Sequence, residues 1–319
     1  MSHLASTLAG SSGSPIIIYG SNLVLGIHKQ ANLIINENYG NFIGPIIDAL
    51  ENNKQIKKLI NDDYIYEGEL TNNEIKEGNG KLIFKNGEIY IGQFKNDKYE
   101  GKGILYYNYK KKKVKYEGDF FEGKYNGKGK LIEKNNEYYI GLFKKGEKDG
   151  RGEEYYSNKK LKYKGEFKNN YYNGEGKYIF PGGKYYVGNW LNGKKNLKGE
   201  IYDNSNRILF EGNFKNNELI NGKIYFEDGN YYTGEIKNYM MNGKGSNFYK
   251  NGIIKYEGYF VDNKLEGEGI HYNEDETFYV GNFKNGKKNG KGTIYNKNSN
   301  VIYEKHLKMK NMKEMVTYY

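Results

Sequence analysis

The stretch Tyr279-Val280-Gly281-Asn282-Phe283-Lys284-Asn285-Gly286-Lys287-Lys288-Asn289-Gly290-Lys291-Gly292-Thr293 decides the fold. Its first part is aromatic, any, Gly, any, large apolar. In a strand, side chains alternate, so Tyr279, Gly281 and Phe283 share one face. Asn285-Gly286 is a hairpin dipeptide, because both residues tolerate positive φ. Gly290 and Gly292 open a second strand that runs on into apolar residues. The stretch therefore reads as one two-stranded hairpin.

The same hairpin recurs along the chain. Its opening aromatic stands at Tyr66, Tyr90, Tyr116, Tyr139, Tyr163, Tyr186, Phe210, Tyr232 and Tyr256 as well, 22 to 26 residues apart. Tyr90, Gly92 and Phe94 repeat the first strand, and Gly101 and Gly103 the second. A decayed copy starts at Tyr303, where Lys305 replaces the glycine. Further turn signals are Asn86-Gly87, Asp228-Gly229, Asn251-Gly252 and Pro181-Gly182-Gly183. Short connections demand antiparallel neighbours, and a lone hairpin needs stacked neighbours for stability. The expected fold is all-β: an elongated single-layer antiparallel meander of tandem hairpins. Ten repeats of two strands at ~4.8 Å would extend roughly 100 Å.

These residues resemble the MORN repeat (membrane occupation and recognition nexus). Tyr279 to Thr293 matches its pattern almost position by position, and the repeats from residue 66 to about 306 are in phase. The resemblance implies a hairpin array with an aromatic-lined groove. It also implies roles in scaffolding, cytoskeletal assembly and membrane attachment. Some members carry a lipid kinase, a methyltransferase or a membrane anchor beside the array; here the array is nearly the whole chain.

The composition agrees with many turns and many rings laid on bare backbone: 43 Gly, 35 Tyr and 15 Phe among 319 residues. With no cysteine, disulfides, thiolate nucleophiles and Cys-type zinc sites are excluded. Met1 to Gly20 lacks the layout of a secretory signal, and no apolar run approaches the roughly 18 residues that span a bilayer. The expected location is cytoplasmic, with cytoskeletal or membrane association.

The net charge of +11 is almost all lysine; Arg151 and Arg207 are the only arginines. That suits acidic protein surfaces or anionic lipid heads better than base readout, which favours arginine. Nucleic acid is therefore not an expected partner. No phosphate loop is present: Gly286 and Gly290 are too close, and Gly292 follows Lys291 where Ser or Thr is required. His3, His28, His271 and His306 have no ligand spacing. Glu67, Glu117, Glu211 and Glu257 recur as strand decoration. No catalytic, cofactor or metal residues are assigned. The function expected is a non-enzymatic scaffold that binds other proteins. The alternatives are a peripheral module for acidic phospholipid, and a regulatory or targeting subunit of an enzyme.

The candidate docking residues come from a two-repeat rhythm. The residue before the motif aromatic points to the opposite face. It is Tyr138, Tyr185, Tyr231 and Phe278 in even repeats, and Lys115, Lys162 and Lys255 in odd ones, with Leu209 the exception. This makes an aromatic strip with lysines between. Trp190 and the turn run Lys110, Lys111, Lys112 and Lys113 complete the set. Two positions break the pattern: Leu197 at a first glycine and Ile224 at a second, after a one-residue shift. Each is expected to push a ring away, so residues 191–224 would bend the ribbon or mark a partner site.

The ends differ from the array. Residues 1–14 are small and polar and read as disordered. Residues 15–61 form a cap with a helix over about 45–60, opened by Pro45 and sided by Ile46, Ile47, Leu50, Ile56, Leu59 and Ile60. The array occupies 62–306, and the basic tail 307–319 caps the far edge or pairs with another copy, so a homodimer is also expected.

Overall fold

A computed structural model describes residues 16–17, 24–25, 56–108, 113–307 and 316–318. It forms two compact bodies, Met1–Glu147 and Lys148–Tyr319. Among the described residues every regular element is a strand. In the first body the strands are Lys57–Ile60, Tyr64–Leu70, Lys76–Phe84, Ile89–Lys95, Lys98–Asn108, Lys113–Phe121, Lys124–Ile132 and Tyr138–Lys144. Each pairs antiparallel with the next. Apart from them, Ile16–Ile17 pairs with Val24–Leu25. The second body runs in the same way from Glu147–Tyr155 to Val301–Leu307 and ends on Val316–Tyr318.

Two kinds of turn set this path. Within a repeat the strands join through two residues that are both left-handed: Asn96-Asp97, Asn169-Asn170, Asp262-Asn263, Asn285-Gly286. Their twist matches that of the strands they connect. The second turn residue donates its N–H to the preceding hairpin, as Asn170 does to the Lys148 carbonyl at 3.0 Å. Where that residue is Asn or Asp its side chain answers: Asn170 Oδ1 accepts the Lys148 N–H at 2.9 Å. Between repeats the connection is longer. At Asn86-Gly87 only the glycine is left-handed, and Asn86 Oδ1 accepts the Glu88 N–H at 2.9 Å. The dipeptide marks the turn for a different reason than its double tolerance of positive φ.

The core is a ring laid on glycine, repeated. In the first body Gly68, Gly80, Gly92, Gly103, Gly118, Gly129 and Gly141 stand opposite one another across successive strands. The motif tyrosine crosses its own glycine pair. A Cβ on Gly129 would sit 2.2 Å from the Tyr116 hydroxyl, and one on Gly245 the same distance from that of Tyr232. Only hydrogen fits there. Each motif tyrosine donates its hydroxyl to the carbonyl three residues on, at 2.7 to 3.4 Å. Its edge meets the motif phenylalanines: Tyr90 contacts Phe94 and Phe120, each at 5.1 Å and nearly perpendicular. Such contacts add roughly 0.5–1.5 kcal/mol each beyond burial. Burial pushes the phenols of Tyr66, Tyr90 and Tyr116 well above their ordinary range.

The residue nine places on lies over the tyrosine ring. Tyr99, Tyr125 and Tyr172 stack on it at 3.8 Å. Lys195 and Lys288 put an ammonium 5.4 and 4.6 Å from the ring centre. Around Phe210 the aromatic file gives way to aliphatic residues: Leu219, Ile224, Ile236 and Met241 are buried instead.

Three expectations are corrected. The helix over about 45–60 falls largely outside the described residues, but Lys57–Ile60 is a strand on Tyr64–Leu70. Leu59 and Tyr66 stand opposite one another, so backbone pairing prevails over an amphipathic pattern too short to choose between periods. Leu197 pushes no ring away. The first glycine of each pair is a left-handed bulge position, at φ +68° in Gly127 and +64° in Gly243, and Leu197 adopts +56° there with its side chain 65% exposed. Ile224 does not occupy the second glycine's place. Gly222 does, opposite Gly212, while Ile224 packs inward between Phe210 and Tyr232.

Candidate functional site

The tyrosine face is sealed, so the face opposite it carries what the array can offer a partner. Its residues are fixed by register. In the second body the central row runs Glu153, Lys164, Lys177, Val187, Glu200, Glu211, Lys223, Thr233, Ser246, Glu257, Ile270, Val280 and Thr293. Opposite charges meet on it: Lys164 and Glu153 at 3.0 Å, Lys223 and Glu211 at 3.0 Å. Such exposed pairs contribute little to stability; they leave a polar, hydrated strip.

Beside that strip the expected aromatics sit in stacked pairs. Tyr185 stacks on Tyr202 at 4.7 Å, Tyr231 on Phe248 at 4.8 Å, and Phe278 on Tyr295 at 5.1 Å. All six rings are half-buried. Successive pairs lie four strands apart, roughly 19 Å at ~4.8 Å per strand. Ammonium groups lie against them: Lys177 is 3.7 Å from the Tyr185 ring centre and Lys223 is 5.7 Å from that of Tyr231. In the first body Lys130 is 4.7 Å from Tyr138. Next to Phe278 a concavity of about 730 Å³ is lined by Tyr249, Ile253, Tyr272 and both signs of charge.

The odd-repeat lysines are engaged rather than offered. Lys115 pairs with Glu88 at 3.1 Å and lies 5.3 Å from Tyr107. Lys162 and Lys255 cover Tyr156 and Tyr249 at 5.5 and 5.3 Å. Lys113 donates to the Lys134 carbonyl at 2.9 Å, while Lys110, Lys111 and Lys112 lie outside the described residues. Trp190 is corrected from docking residue to core: it is 7% exposed, wedged against Tyr163, Tyr172 and Tyr186, with its indole N–H on the Gly176 carbonyl at 3.3 Å. The stacking partners Tyr202, Phe248 and Tyr295 had a sequence signal that was missed. Each stands 17 residues after its mate.

The match between this geometry and a known family is direct. A family model, described as MORN repeat, matches residues 66–89, 90–108, 116–133, 139–160, 163–185, 186–199, 232–252, 256–275 and 279–301, more than half of the chain. The chain belongs to the MORN repeat family. The model passes over the Phe210 repeat, where the ring lacks its hydroxyl and the left-handed glycine is missing; that hairpin still forms. No curated protein matches the chain. Among the described residues, no group of three His, Cys, Asp or Glu side chains converges on a common point. His271 lies within the tyrosine face, between Tyr256 and Tyr279, and desolvation lowers its pKa.

Proposed function

We propose that this MORN array is a non-enzymatic scaffold whose second body docks partner proteins on its polar face, within a cytoskeletal or membrane-associated assembly. The carrying observation is the run of stacked pairs Tyr185/Tyr202, Tyr231/Phe248 and Phe278/Tyr295, set at a constant interval beside a hydrated charged row. Rigid aromatic anchors surrounded by polar residues are what partner hot spots use. A partner with its own repeat of roughly 19 Å could engage several pairs at once, gaining avidity without any one strong contact.

The test is proximity cross-linking in cells, comparing the natural chain with Tyr185→Ser/Tyr231→Ser/Phe278→Ser at matched melting temperature. Scaffold docking requires that specific cross-links on residues 161–295 disappear in the variant. An unchanged partner set rejects the face. A second reading, attachment to acidic phospholipid, is favoured by the excess of 50 basic over 39 acidic residues. Co-sedimentation with phosphatidylserine or phosphoinositide vesicles at two salt concentrations separates the readings. Lipid binding would require anionic headgroups and weaken with salt.

A further inference from the structure

The first body treats its polar-side face differently. At the positions of the central row it carries Glu67, Lys81, Ile91, Ile104, Glu117, Lys130 and Ile140. Ile91 and Ile104 are 6% and 5% exposed. Val187 and Val280, at equivalent positions in the second body, are 38% and 37% exposed. Ile89 and Tyr106 are buried in the same cluster, with Ile83 and Val114 packed against it; Ile140 is buried too, three strands along the row from Ile104. Side chains on a sheet face stand roughly perpendicular to it. Neighbours in the same layer cover their flanks, not their tips. On the tyrosine face flat rings supply the cover; on this face equivalent positions in the second body stay exposed, so burial this complete needs a second layer. Among the described strands, substantial packing is confined to chain neighbours within the meander. The Glu117 carboxyl, between Ile104 and Lys130 on the same row, is pushed up to about 7 by desolvation against the pull of Lys130.

We propose that the segment from Pro15 to Gln55 folds back across this isoleucine face and forms its second layer. Its composition complements the face. Only Lys29, Glu37, Asp48, Glu51 and Lys54 are charged in it, whereas the apolar runs Ile16-Ile17-Ile18, Leu23-Val24-Leu25, Leu33-Ile34-Ile35 and Ile46-Ile47 need cover of their own. Ile16–Ile17 already pairs with Val24–Leu25 as an apolar hairpin. The reach is short. The segment enters the array at Lys57–Ile60, four strands from Ile104, a distance of roughly 19 Å that about six extended residues span. The other end of the chain is engaged elsewhere: Val316–Tyr318 pairs with Val301–Leu307 in the second body. The consequence is a division of labour: the first body's face is filled by the chain itself, leaving the second body's face for others. This inference stands apart from the docking proposal, which concerns the second body alone.

The absence of cysteine makes the test clean. Single variants Ile104→Cys and Val280→Cys are made in the full chain and reacted with a thiol reagent at low protein concentration. Ile104→Cys is expected to react at least about tenfold more slowly than Val280→Cys. Adding Ile46→Glu/Ile47→Glu should raise the Ile104→Cys rate toward the other and leave Val280→Cys unchanged. Hydrogen exchange on the unaltered chain gives an independent reading, in which amides of residues 15–55 are protected. Equal reaction rates would show an uncovered face. Protection that grows with protein concentration would assign the cover to a second copy. Free-peptide exchange across residues 15–55 would remove the segment as the occupant. Each of these three results overturns the proposal.

Discussion

The two bodies share one face and differ on the other. Beneath each motif tyrosine the glycine pair, the hydroxyl bond and the edge-to-face phenylalanine recur with little change from Tyr66 to Tyr279. Across the sheet, the row that reads Ile91–Ile104 in the first body reads Val187–Glu200 and Thr233–Ser246 in the second. The shared face makes the fold, because a ring on bare backbone tolerates no substitution of the glycine. The other face is free to vary and so carries whatever distinguishes one stretch of array from another.

The largest expected effect tests the sameness. Gly129→Val in the first body and Gly245→Val in the second each place atoms where the tyrosine hydroxyl already is. Both should lose roughly 3–5 kcal/mol, the range of severe core disruption, and by similar amounts in urea unfolding followed by circular dichroism. A large difference between them would mean that the shared face is not equivalent in the two bodies. The next effect tests the difference. Ile104→Asp buries a charge among apolar side chains and should cost about 3 kcal/mol or more. Val280→Asp adds a charge to an already hydrated row and should stay within about 0.5 kcal/mol. Equal costs would erase the contrast.

The shared face was readable in the sequence, the contrast across the sheet was not, and what escaped has physical reasons. The tyrosine face was legible because its residues fall at a constant offset and alternate strictly. The two glycines of each Gly-x-Gly, however, look identical as letters while doing different work: one takes a left-handed bulge, the other lies under a ring. Leu197 could be misread for that reason. Ile224 was misplaced because the Phe210 repeat lacks the left-handed residue, which shifts the count by one without moving the glycine pair Gly212 and Gly222. Trp190 was read by its chemistry rather than its place, which is that of the motif phenylalanine. The isoleucine row was invisible as a row, since Ile91 and Ile104 become neighbours, and Ile140 joins their row three strands on, only once the bulges fix the register.

A pH effect of intermediate size sharpens the comparison. The folded Glu117 carboxyl titrates near 7, above its ordinary 4.5, because desolvation disfavours its charge. The folded state therefore holds a proton that the unfolded chain releases between about 4.5 and 7. Stability that is complete below the lower value is lost as pH rises to the upper. The change should be on the order of 1–2 kcal/mol, less than the full shift implies because partial hydration tempers it. Glu117→Gln should flatten that part of the stability–pH curve. The corresponding Thr233→Glu on the open row of the second body should introduce no comparable slope. A curve unchanged by Glu117→Gln would mean that the carboxyl is hydrated and the face uncovered.

The smallest effect concerns a place where the shared face departs from its own rule. Leu197 holds φ +56° at a position that is glycine in most other repeats. A left-handed conformation costs an L-residue roughly 1–2 kcal/mol, and its exposed side chain offers little burial in return. Leu197→Gly relieves the strain but frees the unfolded chain, an entropic loss of about 0.5–1 kcal/mol. The net should be a gain of a few tenths to about 1 kcal/mol. The reciprocal change, Gly243→Leu, should lose a similar amount, because its φ of +64° and its place before the ring-bearing glycine are the same. If Leu197→Gly destabilises instead, the leucine has a contact of its own at the surface. Since its strand lies between those of Trp190 and Phe214, that contact would be with side chains of these neighbours, strong enough to outweigh the backbone strain.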